Sequence, residues 1–181
     1  MKTEKQVKLL RAAIVGALIL LAAVLRALPH PWNFTPIGAI ALFSGAMIRT
    51  RWMAVALPLL ALFAGDIFVG FHQLMLVVYA SFAISVMIGR WLRANRTVAR
   101  FGGVVLLGAA QFYTVTNLAL WAIGGFYPRT GAGLAACYAA AIPYFWNTLA
   151  GDALYSAALF GGYALAERLL VEGRFSSAPV V

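Results

Sequence analysis

Two apolar stretches decide the fold: LPLLALFAGDIFVGF at residues 57–71 and FWNTLAGDALYSAALF at residues 145–160. Each stretch carries a single carboxylate in the same Ala-Gly-Asp tripeptide, at Asp66 and at Asp152. A charged Asp near the centre of a bilayer-spanning helix costs about 2.5 to 3.5 kcal/mol on insertion scales, so such residues usually face a cavity, a partner or a pathway. The two carboxylates are therefore the first candidates for the polar floor of a binding site.

The composition predicts an integral membrane protein. Of the 181 residues, 64% are hydrophobic and 10% are charged, whereas soluble domains average about 45 to 50% apolar residues. We expect one membrane domain over residues 12–170, between a basic cytoplasmic segment (1–11) and a short cytoplasmic tail (171–181). This arrangement leaves no room for a separate aqueous catalytic domain.

Six apolar segments predict an all-α bundle of six transmembrane helices, over residues 12–28, 36–48, 53–70, 74–91, 102–124 and 141–170. A transmembrane helix needs about 17 to 25 residues, so the second segment is short and we expect it to be tilted, re-entrant or flanked by extended chain. Residues 131–144 are also apolar, and Pro143 predicts a break that would make them a separate interfacial helix. The first segment also has the layout of a signal peptide, although Arg26 interrupts the expected cleavage site.

Basic residues predict the orientation, because Lys and Arg are retained on the cytoplasmic side of membrane proteins. With six spans, twelve Lys and Arg residues flank the inner ends of the spans, and only Arg26 and Arg129 flank the outer ends. Both termini are therefore expected in the cytoplasm, with the protein in a bacterial inner membrane. The net charge of +9 follows alternate loops and forms no single patch with interleaved aromatic residues, so we expect no nucleic-acid partner.

Polar and aromatic residues collect at the predicted outer side, a composition typical of a pocket for a flat or polar small molecule. For the aromatic residues, an interfacial belt is the alternative. For Asp66, an ion pair or a backbone hydrogen bond explains the residue as well as a ligand does. Asp152 lies deeper, with no basic residue near it in sequence, which favours a ligand or gating role. The candidate ligand-binding residues are Asn33, Asp66, Asn117, Trp121, Arg129, Trp146, Asn147 and Asp152.

Signatures of enzymes and of metal sites do not occur in the sequence. There is no Gly-rich phosphate loop with its Lys, no His-Glu-x-x-His helix and no Gly-x-Ser-x-Gly elbow. His30 and His72 lie in different loops without further ligands at metal spacing, so we expect neither a metal nor a cofactor. Cys137 is the only cysteine, and it can form no disulfide within the chain.

Two blocks carry a family resemblance: PHPWNFTPIGAIALFSGA at residues 29–46 and YPRTGAGLAACYAAAIPYFWNTLAGDALYSAALFG at residues 127–161. They resemble an uncharacterised bacterial membrane family related to the substrate-binding S components of energy-coupling factor (ECF) vitamin transporters. The resemblance implies a six-helix bundle with a vitamin- or metal-binding pocket near the outer face. It also implies docking to a transmembrane coupling protein and two ATPases through small residues of the first helix. Ala13 with Ala17 and Ala23 with Ala27 are similar to that docking motif.

The leading expectation is a membrane transport protein that binds a small organic micronutrient from the outer side, in contact with membrane lipid and with a coupling module. The alternative is a membrane scaffold or assembly factor, in which the small-residue helix faces are functional and the acids are structural. An intramembrane enzyme is the least favoured class, because the sequence offers no nucleophile, metal set or acid–base pair.

Overall fold

The computed structural model describes residues 4–25 and 31–172, and every regular element in them is helical. Residues 90–92 extend the fourth helix as a 3-10 turn, and residues 168–172 extend the sixth as a π-helical turn. The prediction of an all-α fold with six helices is confirmed. The helices are α1 (Glu4–Leu25), α2 (Ile37–Met47), α3 (Arg51–Val69), α4 (Met75–Gly89), α5 (Val98–Ile123) and α6 (Gly131–Glu167).

Three helical stretches in the described residues are long and apolar enough to cross a membrane: Glu4–Leu25, Met75–Leu92 and Val98–Ile123. Each has at least the 18 residues that a crossing needs at a rise of about 1.5 Å per residue. These helices are compatible with the membrane protein that the composition predicts.

The short α2 lies at the centre of the bundle. All ten residues from Ile37 to Ala46 are buried, and α2 packs against each of the other five helices. A helix that is buried all round must be apolar on every face, which explains the uniform sequence IGAIALFSGAM. With 11 residues, α2 is about 16 Å long, close to half of what a transmembrane helix needs.

Small residues allow α2 and α4 to pack with their backbones in close contact. A side chain at Gly45 would overlap the carbonyl of Val86, and one at Gly89 would overlap the carbonyl of Leu42. On α4, Ser81 and Ser85 precede Gly89 at four-residue spacing, and both serines are buried. This is the spacing that lets apolar helices approach closely. The close packing inside the bundle therefore uses α2 and α4, whereas the small residues singled out in the sequence lie on α1.

The helices alternate in direction, which separates two ends of the molecule. At one end, called the basic end below, Arg11 of α1 pairs with Glu167 of α6 through an Nε–Oε1 contact of 2.7 Å. Arg93, which follows α4, donates to the Ile48 carbonyl at the end of α2. The opposite end is formed by residues 31–36, the end of α3, the start of α4, the end of α5 and the first half of α6.

The predicted break at Pro143 is wrong, because α6 runs without interruption from Gly131 to Glu167. Residues 131–144 are therefore the first turns of α6 and do not form a separate interfacial helix. Proline removes one backbone donor from a helix, but apolar helices tolerate it where their surroundings satisfy the freed group. Thr130 caps the start of α6 by accepting from the Gly133 N–H at 3.1 Å.

Helix α1 begins earlier than the apolar pattern predicts, at Glu4, and so includes Lys5, Lys8 and Arg11. Of the predicted docking residues, Ala13 and Ala17 are exposed on its outer face and Ala23 is half-buried. Ala27 lies outside the described residues, as do most of the predicted 171–181 tail and the first three residues.

Candidate functional site

Two adjoining cavities open at the end opposite the basic end, and they share Asn33, Phe112 and Thr148. The acidic cavity has a volume of about 310 Å³ and contains both carboxylates. The amide cavity has a volume of about 230 Å³. The acidic cavity is lined by Trp32, Asn33, Thr35, Ile37, Gly38, Leu62, Asp66, Gly70, His72, Val78, Phe82, Phe112, Thr148 and Asp152. The amide cavity is lined by Asn33, Leu74, Phe112, Tyr113, Thr116, Asn117, Leu120, Ala141, Tyr144, Phe145 and Thr148.

Asp66 enters the acidic cavity from the last turns of α3. Its carboxyl is buried, with 5% of the residue exposed, and Oδ2 accepts a hydrogen bond of 2.8 Å from the Tyr79 hydroxyl of α4. A hydrogen bond to a carboxylate contributes about 1.5 to 3 kcal/mol, which offsets part of the cost of burying the acid. Tyr79 therefore fixes the orientation of Asp66 at the cavity wall.

Asp152 enters the same cavity from the middle of α6 and caps α2. Its carboxyl lies so close to Gly38 that a side chain there would displace it, and it accepts a hydrogen bond from the Ala39 N–H. The first four N–H groups of a helix have no partner within the helix, and Pro36 offers α2 no side-chain cap. The Asp152 oxygen therefore supplies the acceptor that caps the first turn of α2.

The residue before Asp152 lies against the segment that leads into α2. A methyl group at Gly151 would lie 3.4 Å from the backbone of Phe34 and Thr35, an ordinary contact distance, so α6 runs directly alongside this segment. This approach brings the Asp152 carboxyl to the first turn of α2. The structural role of Asp152 is therefore stronger than its position in the sequence indicated.

Asn33 lines both cavities from a tight turn. The Phe34 N–H donates to the Pro31 carbonyl at 3.0 Å, and Asn33 has a φ of 63°, a left-handed conformation that Asn adopts more readily than most residues. The Asn147 side chain of α6 donates to the Trp32 carbonyl at 3.0 Å. Asn147 therefore anchors this turn and does not line either cavity.

The wall between α5 and α6 is built from reciprocal hydrogen bonds. The Tyr113 hydroxyl of α5 donates to the Tyr138 carbonyl at 2.6 Å, and the Tyr138 hydroxyl of α6 donates to the Thr114 carbonyl at 2.7 Å. The Asn117 Nδ2 donates to the Tyr113 carbonyl at 2.8 Å. The Asn117 bond lies within α5, whereas the two tyrosine bonds join α5 to α6 along the amide cavity.

Threonine and asparagine side chains along the cavities already donate hydrogen bonds to carbonyls of their own helices. Thr116 donates to the Phe112 carbonyl at 2.7 Å, and Thr148 donates to the Tyr144 carbonyl at 2.9 Å. A hydroxyl that donates to its own helix retains lone pairs that accept hydrogen bonds. Together with the two carboxyls, these oxygens make the lining rich in acceptors.

The eight predicted ligand-binding residues divide into two groups. Asn33, Asp66, Asn117 and Asp152 line one or both cavities, as described above. The other four line neither cavity. The Trp121 indole N–H donates to the Pro128 carbonyl at 3.0 Å, and Asn147 holds the turn at Trp32. Trp146 is 60% exposed, and Arg129 is also exposed.

Sequence reasoning missed Tyr79, Gly38 and Phe112. Tyr79 is the single tyrosine of α4, and a hydroxyl inside an apolar helix requires a partner, so it was the one detectable signal. Gly38 and Phe112 carry no such signal, because glycine and phenylalanine are common throughout apolar helices. Among residues 4–25 and 31–172, no three His, Cys, Asp or Glu side chains come together as metal ligands would.

Comparison with protein families gives one match, to a family of unknown function, DUF6580, whose model covers residues 6–174. No curated protein and no solved structure matches the chain.

Proposed function

The chain belongs to the DUF6580 family, whose function is unknown, and we propose that it binds a small organic molecule in the two adjoining cavities and serves its uptake into the cell. The class we propose is that of a vitamin or a cofactor precursor, captured from the outer side in the manner of an ECF S component. One observation carries the proposal: the acidic and amide cavities share Asn33, Phe112 and Thr148 and so offer one continuous lining.

The acidic cavity, at about 310 Å³, has the size of a small-molecule site, and the amide cavity of about 230 Å³ adjoins it. Ligand pockets commonly measure about 300 to 1,000 Å³ and combine apolar walls with a few placed polar groups. Phe82 and Phe112 supply apolar ring surface, whereas Asp66, Asp152, Thr148 and Thr116 supply acceptors. A ligand that fits this lining has a flat ring and several hydrogen-bond donors.

The proposed setting is a bacterial inner membrane crossed six times, with both termini in the cytoplasm. The distribution of twelve basic residues at one side against two at the other supports this orientation. It puts the basic end in the cytoplasm and opens both cavities to the outside. Movement of the ligand across the membrane then requires a partner that drives a conformational change, or a concentration gradient.

Helix α1 is the proposed contact for a coupling protein and its ATPases. Ala13 and Ala17 are exposed, and space is open above Gly16 between them. Small exposed residues allow another helix to approach closely in the absence of water. The same observation favours the alternative function, a scaffold or assembly factor, because Ala153, Ala157 and Gly161 of α6 are exposed as well.

The first testable prediction concerns ligand retention. Native mass spectrometry of the gently purified protein is expected to show a bound small molecule, and T116V is expected to reduce its occupancy about tenfold, the equivalent of 1.4 kcal/mol. T114V is the matched control, because Thr114 also donates within α5, to the Ala110 carbonyl at 2.8 Å, but lines neither cavity.

If no molecule is retained by the wild-type protein, or if T116V and T114V behave alike, the binding proposal is wrong. Co-purification of a membrane partner that is lost on A17L, with no bound small molecule, would favour the scaffold instead. A17L adds bulk on an exposed face of α1, so it leaves the cavity lining unchanged.

A further inference from the structure

The basic end of the molecule contains a second recess, remote from the two cavities. It lies where the 3-10 turn after α4 meets the start of α5, and its volume is about 480 Å³. Arg90, Trp91, Arg93, Ala94 and Arg100 line it. The two cavities proposed for the organic ligand contain none of these residues.

Among the side chains that the structure describes, no acidic one lines this recess. The two ion pairs seen at the basic end join Lys8 with Glu4 and Arg11 with Glu167, and neither carboxylate lines the recess. Burial and then the repulsion from Arg90, Arg49 and Arg96 lower the pKa of Arg93. Three neighbouring guanidinium groups thus repel that of Arg93, and a bound anion would relieve this repulsion.

The donors of these arginines are only partly used. Arg93 Nη1 donates to the Ile48 carbonyl at 2.8 Å, Arg90 Nη2 contacts the Arg49 carbonyl at 3.5 Å, and Arg100 Nη1 contacts the Trp91 carbonyl at 3.4 Å. Arg90 Nη1 is buried and has no hydrogen-bond partner in the described part of the chain. A guanidinium carries five N–H donors, so most donors of the three arginines remain for a ligand.

Phosphate oxygens suit this arrangement of guanidinium groups. Guanidinium groups match phosphate with paired, charge-assisted hydrogen bonds, and a tetrahedral group can meet three arginines at once. Two tryptophans at the same end, Trp52 and Trp91, are 70% and 61% exposed. Exposed tryptophans favour the headgroup level of a bilayer, which is where lipid phosphates lie.

We propose that the recess lined by Arg90, Arg93 and Arg100 binds a phosphate group. The group has two sources on the cytoplasmic side, the headgroup of an anionic phospholipid and free inorganic phosphate. The proposal uses the geometry of the basic end alone, so it stands or falls independently of the organic ligand in the cavities.

The test compares binding of two probes to the full-length protein in a zwitterionic detergent. Native mass spectrometry measures retention of phosphatidylglycerol against phosphatidylcholine, and calorimetry measures binding of inorganic phosphate. The double substitution R90Q/R100Q is expected to weaken binding of the preferred probe at least tenfold. Arg93 is left in place because it also caps α2.

R51Q is the control, compared with the single variant R100Q because each removes one positive charge; Arg51 is exposed, lies at the same end and does not line the recess. R51Q is expected to change binding less than twofold, although it removes one positive charge as well. If the double variant unfolds, R100K replaces it, since Lys keeps the charge and loses the paired donors; it should bind several-fold more weakly than the wild type.

If the protein prefers phosphatidylglycerol and R90Q/R100Q or R100K removes this preference, the site binds a lipid. If only inorganic phosphate binds, the site binds the free ion. The proposal is overturned if neither probe binds, or if R51Q weakens binding as much as R100Q. In the second case the effect comes from the overall charge of the basic end and not from the recess.

Discussion

Asp66 and Asp152 show two ways in which a bundle of apolar helices accommodates a carboxyl group. Asp66 accepts from the Tyr79 hydroxyl on a neighbouring helix. Asp152 accepts from the Ala39 N–H and sits against Gly38, at the first turn of a helix that ends inside the bundle. Both residues therefore have structural partners and also line the acidic cavity. A substitution at either position tests stability as well as binding.

Capping of α2 by Asp152 makes a prediction about stability. D152A leaves the Ala39 N–H buried without a partner and is expected to lower the stability by about 1 to 3 kcal/mol. D152N retains an acceptor oxygen of the same shape, so we expect a smaller loss. The midpoint of thermal unfolding in detergent, followed by size-exclusion chromatography of heated samples, distinguishes the two variants. A D152A protein that unfolds at the wild-type temperature would show that the cap contributes nothing.

At the scale of elements, α2 is the unusual member of the bundle. It is too short to cross a bilayer, and it is surrounded by the other five helices, so both of its ends need partners from elsewhere in the chain. The Asp152 carboxyl serves the N-terminal end, and the Arg93 guanidinium serves the C-terminal end through the Ile48 carbonyl. The positive charge of Arg93 at the C-terminal end also complements the helix dipole. One buried helix thus depends on two side chains distant in sequence.

The contact between α2 and α4 makes a prediction about packing. In G45A the new methyl group would overlap the carbonyl oxygen of Val86, and a helix backbone cannot move aside as a side chain can. Overpacking of this kind costs about 1 to 3 kcal/mol, so we expect a clear drop in the thermal midpoint and in the yield of monodisperse protein.

G161A provides the comparison, because Gly161 is also within a helix but has open space around it. Replacing a helical glycine by alanine without a clash stabilises by about 0.4 to 1 kcal/mol. The packing argument fails if G45A and G161A show the same midpoint.

At the scale of the whole molecule, chemistry is divided between two ends. One end has arginines that cap α2 and surround a recess, and the other has two cavities rich in acceptor groups. The division follows from the alternating direction of the helices. Successive connecting segments lie at opposite ends of the molecule, so each end collects its own set of side chains. In the proposed orientation, the basic end meets the anionic inner surface of the membrane, and the cavities face a ligand outside.

The proposed orientation makes a prediction that reporter fusions test. A green fluorescent protein fused after Val181 is expected to fluoresce, and alkaline phosphatase at the same point to be inactive, because the C-terminus is expected in the cytoplasm. Fusion of the two reporters after Gly125, between α5 and α6, is expected to give the opposite result. Equal fluorescence at both points would contradict an odd number of crossings between them and with it the proposed topology.

The candidate site was predictable where a polar residue was out of place in an apolar helix, and at Asn33 in the turn before α2. Asp66, Asp152 and Asn117 were found in this way, since a polar group there needs a partner or a ligand. Trp121 and Trp146 were misleading, because tryptophan also occurs at helix ends for reasons of interface chemistry. Asn147 contacts the chain 115 residues away, and no local pattern records such a contact.

The sequence by itself determined the six helices and the separation of basic from polar ends. It could do so because the length of an apolar run and the positions of Lys and Arg are local properties. The tertiary structure alone decided that α2 lies at the centre, that α6 continues through Pro143, that both carboxylates share one cavity and that Asp152 caps α2. These features depend on how each helix is rotated and how closely its neighbours approach, and packing sets both quantities between residues far apart in the chain.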